Sequence, residues 1–270
     1  MSATRAISLP HGLLQGGRRL TTADLCLPTG ADEAAVLEAR GRSRAEQVTE
    51  LLSRCVTRID DVDVDETVVR TLTIGDRETL LLHLRASVFG DRLSCVVDCP
   101  ECGEPMDLDL LVPELLVPPY EDVRERHTVE LGAPGGGEAD VRLVTGADQE
   151  AAARGGIEEL IARCVFEVRI DESLPTPILA EALSGPLLAL DPQAEITIDA
   201  ACPSCGEPFS ALVDAAGILL AELTDGDDRL LREVDALART YHWSESEILG
   251  LDVHRRRRYL ELLVEDGDGL

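Results

Sequence analysis

The sequence predicts an α+β protein made of internally duplicated, zinc-ribbon-like half-units (strand, knuckle, strand, plus helices) with a C-terminal helical extension. Three observations predict it. The heptapeptide Cys-Pro-Glu-Cys-Gly-Glu-Pro at Cys99 to Pro105 returns as Cys-Pro-Ser-Cys-Gly-Glu-Pro at Cys202 to Pro208, with six of seven positions identical. Each copy sits between segments of strand character, Leu93 to Asp98 and Met106 to Leu110 around the first, Glu195 to Ala201 and Phe209 to Val213 around the second. Finally, the order strand, loop, strand, Thr-Gly-Ala-Asp, helix, Arg-Cys-Val, strand, knuckle, strand occurs twice. Four landmarks in one order point to internal duplication. The expected division is residues 1–118 for the first repeat, 119–215 for the second and 216–270 for a helical tail.

In chain order, Ala6 to Leu9 reads as a strand, followed by a loop over Gly12 to Gly17 and an extended stretch from Leu20 to Pro28. The second copy has Thr128 to Leu131, a loop over Gly132 to Gly137 and an extended stretch from Asp140 to Val144. Both read as hairpins. The triple glycine Gly135 to Gly137 belongs to a loop and not to a phosphate cradle, because no Gly-Lys-Ser/Thr follows. Thr29-Gly30-Ala31-Asp32 and Thr145-Gly146-Ala147-Asp148 combine a turn glycine with Asp as a helix N-cap. Ser43 and Glu46 form a capping box. The helix behind it carries Val48, Leu51, Leu52, Cys55 and Val56, and its counterpart carries Ile157, Leu160, Ile161, Cys164 and Val165. Both sets have the spacing of one buried helical stripe.

The acidic segment Asp60 to Glu66 reads as a solvated turn, since it lacks the Gly and terminal Glu of a calcium loop. Asp76 is expected to cap a helix through Leu80, Leu81, Leu84 and Val88. Pro175, Pro177 and Pro186 predict a shorter or broken helix in the second copy. Pro113 to Arg126, with Pro118-Pro119, is the linker. In the tail, Leu230, Leu231, Val234, Leu237, Ala238 and Tyr241 mark an amphipathic helix. Ser244 and Glu247 cap a second, and a third short helix carries Arg255 to Leu263, in an arrangement like a helix-turn-helix.

Composition removes several function classes. The formal net charge is −27, and all 25 basic residues are Arg. Without Lys there is no phosphate-loop lysine and no Schiff base. So acidic a chain argues against general nucleic-acid binding and against membranes. Aromatic residues make up 3%, too few for an aromatic-lined pocket or a base-stacking platform. No apolar run reaches the ~18 residues of a membrane span, and the N-terminus lacks the apolar core of a signal peptide. A reducing cytoplasm is the expected compartment, where paired cysteines bind metal more often than they form disulfides. No nucleophile elbow, His-Glu-x-x-His or dinucleotide fingerprint is present, so no enzyme is expected.

Cys99, Cys102, Cys202 and Cys205 are the candidate ligands of one structural zinc. Each Cys-x-x-Cys-Gly offers two thiolates on one face, with Gly to turn the backbone beneath them. Four thiolates leave no open coordination position. The alternatives are a redox pair, disfavoured because no helix start follows to depress a thiol pKa, and metal-free knuckles. Between Cys102 and Cys202 lie 99 residues. Closing so long a loop costs on the order of 4 kcal/mol, which a zinc site exceeds severalfold; pairing between two chains is the other possibility. Cys55 and Cys164 read as core residues. His11, His83, His127, His242 and His254 are scattered, the last two flanking the short tail helix. Arg255, Arg256, Arg257 and Arg258 form the one basic patch; it is expected to pair with the chain's own carboxylates or dock on an acidic protein partner, in preference to nucleic acid.

The tail from Leu230 to Leu251, followed by Arg256-Arg257-Arg258-Tyr259-Leu260-Glu261, resembles the end of the T-even phage baseplate protein family, whose members also occur in contractile injection system clusters. Gly75-Asp76-Arg77-Glu78 to Arg85, leading into Cys99-Pro100-Glu101-Cys102-Gly103, is similar to the same family. The resemblance covers about Thr73 to Leu110 and Ala201 to Leu263. It departs at His242, where Gly is expected, and at Asp235, where His is common. It implies a non-enzymatic part of a contractile, phage tail-like machine that sits in the baseplate or hub or helps assemble it, with other baseplate proteins as partners. Trp243, Tyr259 and Arg255 to Arg258 are the expected partner anchors, because large amphipathic side chains and Arg dominate interface energies. A zinc-ribbon adaptor for nucleic acid or for a transcription or translation protein, and a thiol oxidoreductase, are the rival classes.

Overall fold

The computed structural model describes residues 4–132, 136–170, 174–224 and 228–267, so Gly135 of the triple glycine lies outside the described residues. The chain is 50% helical and 26% strand, the α+β content expected.

Strands β1 (Arg5–Gln15) and β2 (Arg18–Leu25) form the opening hairpin. Its loop is shorter than the expected Gly12 to Gly17, because Gly16 and Gly17 alone make the turn, at φ 59° and 74°. Strand β1 continues through Gly12, where the register shifts. Gly12 has φ 80°, and a β-carbon there would stand 2.6 Å from the Leu20 carbonyl oxygen, so this bulge requires glycine.

Helix α1 (Gly30–Glu38) corrects the cap assignment: Thr29 is the N-cap, and Asp32 stands at the third helical position, accepting from the Thr29 N–H at 2.8 Å. The cap residue must be extended, as Thr29 is, whereas Asp32 is already helical. Helix α2 (Arg44–Cys55) has the Ser43–Glu46 box and buries Val48, Leu51, Leu52 and Cys55 as expected. Strands β3 (Val56–Ile59) and β4 (Val62–Asp63) complete an antiparallel sheet of order β1-β2-β3-β4. The acidic segment is a turn at Asp60 (φ 48°) followed by Asp65, which caps helix α3 (Glu66–Thr71).

Helix α4 (Ile74–Phe89) is capped by Thr73 and not by Asp76. The Asp76 carboxylate is buried and accepts 2.9 Å hydrogen bonds from the N–H groups of His11 and Gly12, tying α4 to the β1 bulge. Strands β5 (Arg92–Asp98) and β6 (Pro105–Leu111) form the first knuckle hairpin. The linker is not a free break. Helix α5 (Val112–Leu115) opens it, and Tyr120 donates its N–H to Pro10 O at 2.8 Å and its hydroxyl to Asp191 at 2.6 Å.

The second half repeats much of this plan. Strands β7 (His127–Glu130), β8 (Glu138–Val141) and β9 (Val165–Arg169) form an antiparallel sheet, with helix α6 (Gly146–Cys164) between β8 and β9. Helix α6 breaks at Gly156 (φ 71°), at the place where α1 and α2 are separate helices. Here too Thr145 is the cap and Asp148 the third helical residue, not the cap. The apolar stripe of α6 is only partly covered: Cys164 is buried, Leu160, Ile161 and Val165 are half-buried, and Ile157 is exposed.

Helix α7 (Thr176–Leu190) is neither short nor broken. Pro175 is its N-cap and Pro177 lies in the first turn, where no N–H is needed. Pro186 lies inside, and the Ala182 carbonyl it leaves free accepts the N–H of Gly132 at 3.3 Å. Strands β10 (Thr197–Ala201) and β11 (Pro208–Leu212) form the second knuckle hairpin. Helix α8 (Ala215–Leu223) inserts Leu219, Leu220 and Leu223 beside Leu51 and Leu84 into the core of the first lobe, formed by β1 to β4 with α1 to α4, whereas β7 to β9 with α6 and α7 enclose the smaller core of the second lobe. Helices α9 (Arg229–Tyr241), α10 (Glu245–Leu249) and α11 (Val253–Gly267) follow, the last longer than expected.

Two joints share one geometry. The turn into α6 sits on the start of α4: Gly146 N–H donates to Leu72 O and Ile74 N–H to Val144 O, both at 3.1 Å. The turn into α1 sits on the start of α11: Gly30 N–H donates to Leu251 O at 3.2 Å and Val253 N–H to Pro28 O at 3.0 Å. Arg77 lies over Gly146 and Arg256 over Gly30, and a β-carbon at Gly146 would collide with the guanidinium of Arg77.

Candidate metal centre

The two knuckles are hairpin turns of the same construction. Cys99 N–H donates to Glu104 O at 3.0 Å and Gly103 N–H to Cys99 O at 2.9 Å; in the second, Cys202 N–H donates to Glu207 O at 3.0 Å and Gly206 N–H to Cys202 O at 2.8 Å. Gly103 and Gly206 take φ 72° and 77°, the left-handed turn that glycine supplies without strain. Each hairpin thereby aims two sulfurs off its tip.

The tips meet. Cys99 Sγ lies 3.7 Å from Cys205 Sγ, and Cys102 Sγ lies 3.6 Å from Cys202 Sγ. All four sulfurs lie within 4.8 Å of one another. Exchanging the knuckles maps one of these close pairs onto the other, which is the pattern of a two-fold contact. Cys99 and Cys202 are buried against Met106, Val97 and Phe209, while Cys102 and Cys205 face outward. The distances are far too long for a disulfide, whose S–S bond is about 2.05 Å. They suit a tetrahedron: sulfurs about 2.3 Å from a central zinc stand roughly 3.8 Å apart. The residues present therefore fit a four-thiolate metal, and all four come from one chain.

Electrostatics agree with that chemistry. The Cys205 N–H, together with that of Ser204, stabilises the Cys202 thiolate and brings this thiol to about 7 against the opposing effect of desolvation. The Glu104 N–H favours the Cys102 thiolate as well, but desolvation and the neighbouring sulfurs outweigh it and hold that thiol at about 12. The thiolate is favoured at Cys202 and disfavoured at Cys102 and Cys205, a tension between neighbouring sulfurs that a divalent cation relieves. No helix starts behind either knuckle, since both lead into return strands, so the helix N-terminus that depresses a redox thiol is missing and the lowering at Cys202 comes from turn N–H groups. Cys55 and Cys164 are buried, and burial pushes the Cys55 thiol well up and that of Cys164 to about 12, as inert core thiols require.

The tail candidates divide. Trp243 stacks on Tyr241 at 4.9 Å and meets Tyr259 edge-on at 4.8 Å, so three aromatic rings gather where α9 and α11 approach. His242 takes the left-handed φ of 57° that ends α9, the conformation for which the resemblance expects glycine. Arg255 and Arg258 are exposed, and Arg258 pairs with Glu261 and Glu265. Arg257 lies 5.1 Å over the Phe89 ring and donates to Val88 O at 3.2 Å. Arg256 faces inward: it is fully buried, bonded to Glu33 and, at 2.7 Å, to Glu233. It pairs with the chain's own carboxylates and presents nothing to solvent. His254 Nε2 lies 2.7 Å from Ser87 O and so serves as a donor.

Sequence reasoning missed the buried polar groups, among them a cluster at the start of α4. Asp191 accepts from the Tyr120 hydroxyl and from Gly75 N–H at 3.0 Å, close to Asp76 and to His11, whose Nε2 is buried without a hydrogen-bond partner. Burial raises Asp76 to about 7 against its N–H donors, raises Asp191 and lowers His11. Asp191 and Tyr120 carry no local motif; only the tertiary structure brings them together.

No helix among the described residues is long and apolar enough to cross a membrane. No curated protein and no solved structure matches the chain at a significant level. The sequence model described as T4 bacteriophage base plate protein matches residues 21–176, more than half of the chain; the match includes the first knuckle and ends before the second. The chain therefore belongs to the T4 bacteriophage base plate protein family.

Proposed function

We propose that this chain is a non-enzymatic structural or assembly component of the baseplate of a contractile, phage tail-like particle, in which Cys99, Cys102, Cys202 and Cys205 hold one structural zinc. The convergence of four sulfurs from two distant hairpins is the observation that carries the reading. Zinc bound there would neutralise the thiolates and staple the two halves, and four sulfur ligands would leave it no open position for catalysis. The two knuckle hairpins, and the Thr-capped helices ahead of them, support an internally duplicated chain of zinc-ribbon-like half-units. The protein would be made in the cytoplasm and act on other baseplate or hub proteins, in the particle or during its assembly.

The tail is the proposed docking surface. Arg255 and Arg258 are its exposed anchors, Trp243 and Tyr259 its half-buried ones, Arg257 lies at its edge, and Arg256 fixes the helix that carries them. The test uses the affinity-tagged full chain in its native host. Wild type should recover sheath, tube or baseplate proteins. The double variant Trp243→Ala, Arg255→Ala should lose them by about tenfold or more, the scale of one interface hot spot. Unchanged recovery would refute the docking surface. If no tail-machine protein is recovered and nucleic acid is retained in a salt-dependent way, the adaptor reading replaces this one.

A further inference from the structure

The second lobe lacks a cover that the first lobe has. In the first lobe, α8 lies across α2 and α4, and its Ala216, Leu219, Leu220 and Leu223 join a core with Val48, Leu51 and Leu84. Val48, Leu51 and Leu84 are 5%, 0% and 0% exposed. Their counterparts are Ile157 and Leu160, at the same places ahead of Cys164, and Leu187, at the same distance ahead of Cys202 as Leu84 is ahead of Cys99. Ile157 is 38% exposed, and Leu160 and Leu187 are half-buried. Leu160 and Leu187 line an apolar groove of about 290 Å³, with Leu143, Val144, Leu188 and Ala194. Among the described residues no helix fills it as α8 fills the first lobe.

Two features say what would fit. Arg85, which holds α8 through Glu222 at 2.9 and 3.0 Å, has Leu188 as its counterpart, so the groove offers apolar contact where the first lobe offers an ion pair. Glu195 lines the groove together with the buried Asp191, and Glu195 has no cation partner among the described residues. We propose that this groove is an interaction surface for one amphipathic helix of a partner protein, apolar on the face that enters and basic along the flank beside Glu195. The occupant takes the place α8 takes in the first lobe, with an apolar side chain where α8 has Glu222. Helix-in-groove recognition of this kind reads anchors at i, i+3, i+4 and i+7, the spacing of Ala216, Leu219, Leu220 and Leu223 in α8. The inference rests on the repeat correspondence and not on the tail docking surface or on the metal.

The experiment measures fluorescence anisotropy of a labelled peptide added to the purified full chain. The peptide carries the α8 sequence with Glu222→Leu and lysines on its outer face; a scramble of equal composition is the control. Saturable binding of the peptide and not of the scramble is expected. Leu187→Asp should weaken it by about tenfold or more, as loss of a central anchor does. The surface change Glu195→Lys, which touches no core, should weaken it severalfold, and Trp243→Ala should leave it unchanged. Absence of saturable binding, equal binding of the scramble, indifference to both Leu187→Asp and Glu195→Lys, or loss with Trp243→Ala would each overturn the proposal.

Discussion

Asp76 shows how one side chain can be misread from its neighbours and still matter. Its position after Thr73 suggests a cap, yet its carboxylate is spent on the backbone N–H groups of His11 and Gly12. Burial raises its pKa from the ordinary 3.8 to about 7. A carboxyl whose folded pKa exceeds its unfolded value holds more protons folded than unfolded between the two, so stability falls as pH rises through that window. The nearby Asp191 is raised too and acts in the same direction, whereas His11, lowered by burial, opposes it over its own range. The Asp76→Asn variant should therefore lose part of the pH dependence between about pH 4 and 7, flattening the slope of unfolding free energy by up to about 1.4 kcal/mol per pH unit. Urea titrations of both proteins across that range check this; an unchanged slope would mean that Asp76 is ionised throughout.

At the scale of elements, the two turn-on-helix joints explain how the tail closes onto the body. Leu72-Thr73-Ile74 with Arg77, and Leu251-Asp252-Val253 with Arg256, keep the same spacing, and each receives a Thr-Gly-Ala-Asp turn through the same pair of backbone bonds. The short helices ahead of them match as well, with Asp65 capping α3 and Ser244 capping α10, and with Val69 and Ile248 both buried at the same offset. Arg256 bonds Glu33 of α1 directly, whereas Arg77 covers Gly146 but spends its hydrogen bonds on Ala45 O, Thr49 Oγ1 and Val69 O of α2 and α3. Replacing Arg256 with Ala would leave the buried Glu33 with Arg229 alone and should cost about 3 kcal/mol in urea unfolding. Arg258→Ala, at an exposed pair, should change stability by less than about 0.5 kcal/mol. Equal effects of the two changes would contradict this assignment.

Some of these elements were legible beforehand because their signals are local. The Ser43–Glu46 and Ser244–Glu247 boxes, the stripe of α2 and the hairpins around each knuckle follow from spacing alone. Others were not. The length of α7 was hidden because a proline penalty assumes an unsatisfied carbonyl, and Gly132 satisfies the one Pro186 leaves. The half-exposed stripe of α6 has the same periodicity as the buried stripe of α2, since periodicity reports an apolar face and not what covers it. Arg256 looked like part of a surface patch because four consecutive arginines on a helix point in different directions, and only the partners Glu33 and Glu233 reveal which one turns inward.

For the whole molecule, the four-cysteine cluster is the contact that brings the two hairpin tips together across the interval between Cys102 and Cys202. The family assignment and the cluster are independent observations, and the proposal made above joins them: a duplicated body that one zinc would clamp and whose tail would meet a baseplate neighbour. The clamp is the central claim, and native mass spectrometry of the full chain, purified without chelators, tests it most directly. The account predicts one zinc per chain, bound to a monomeric unit, released on thiol modification, and lost in Cys99→Ser and in Cys205→Ser alike. A metal-free chain with all eight thiols reactive once unfolded, or a zinc present only in a species of two chains, would contradict it.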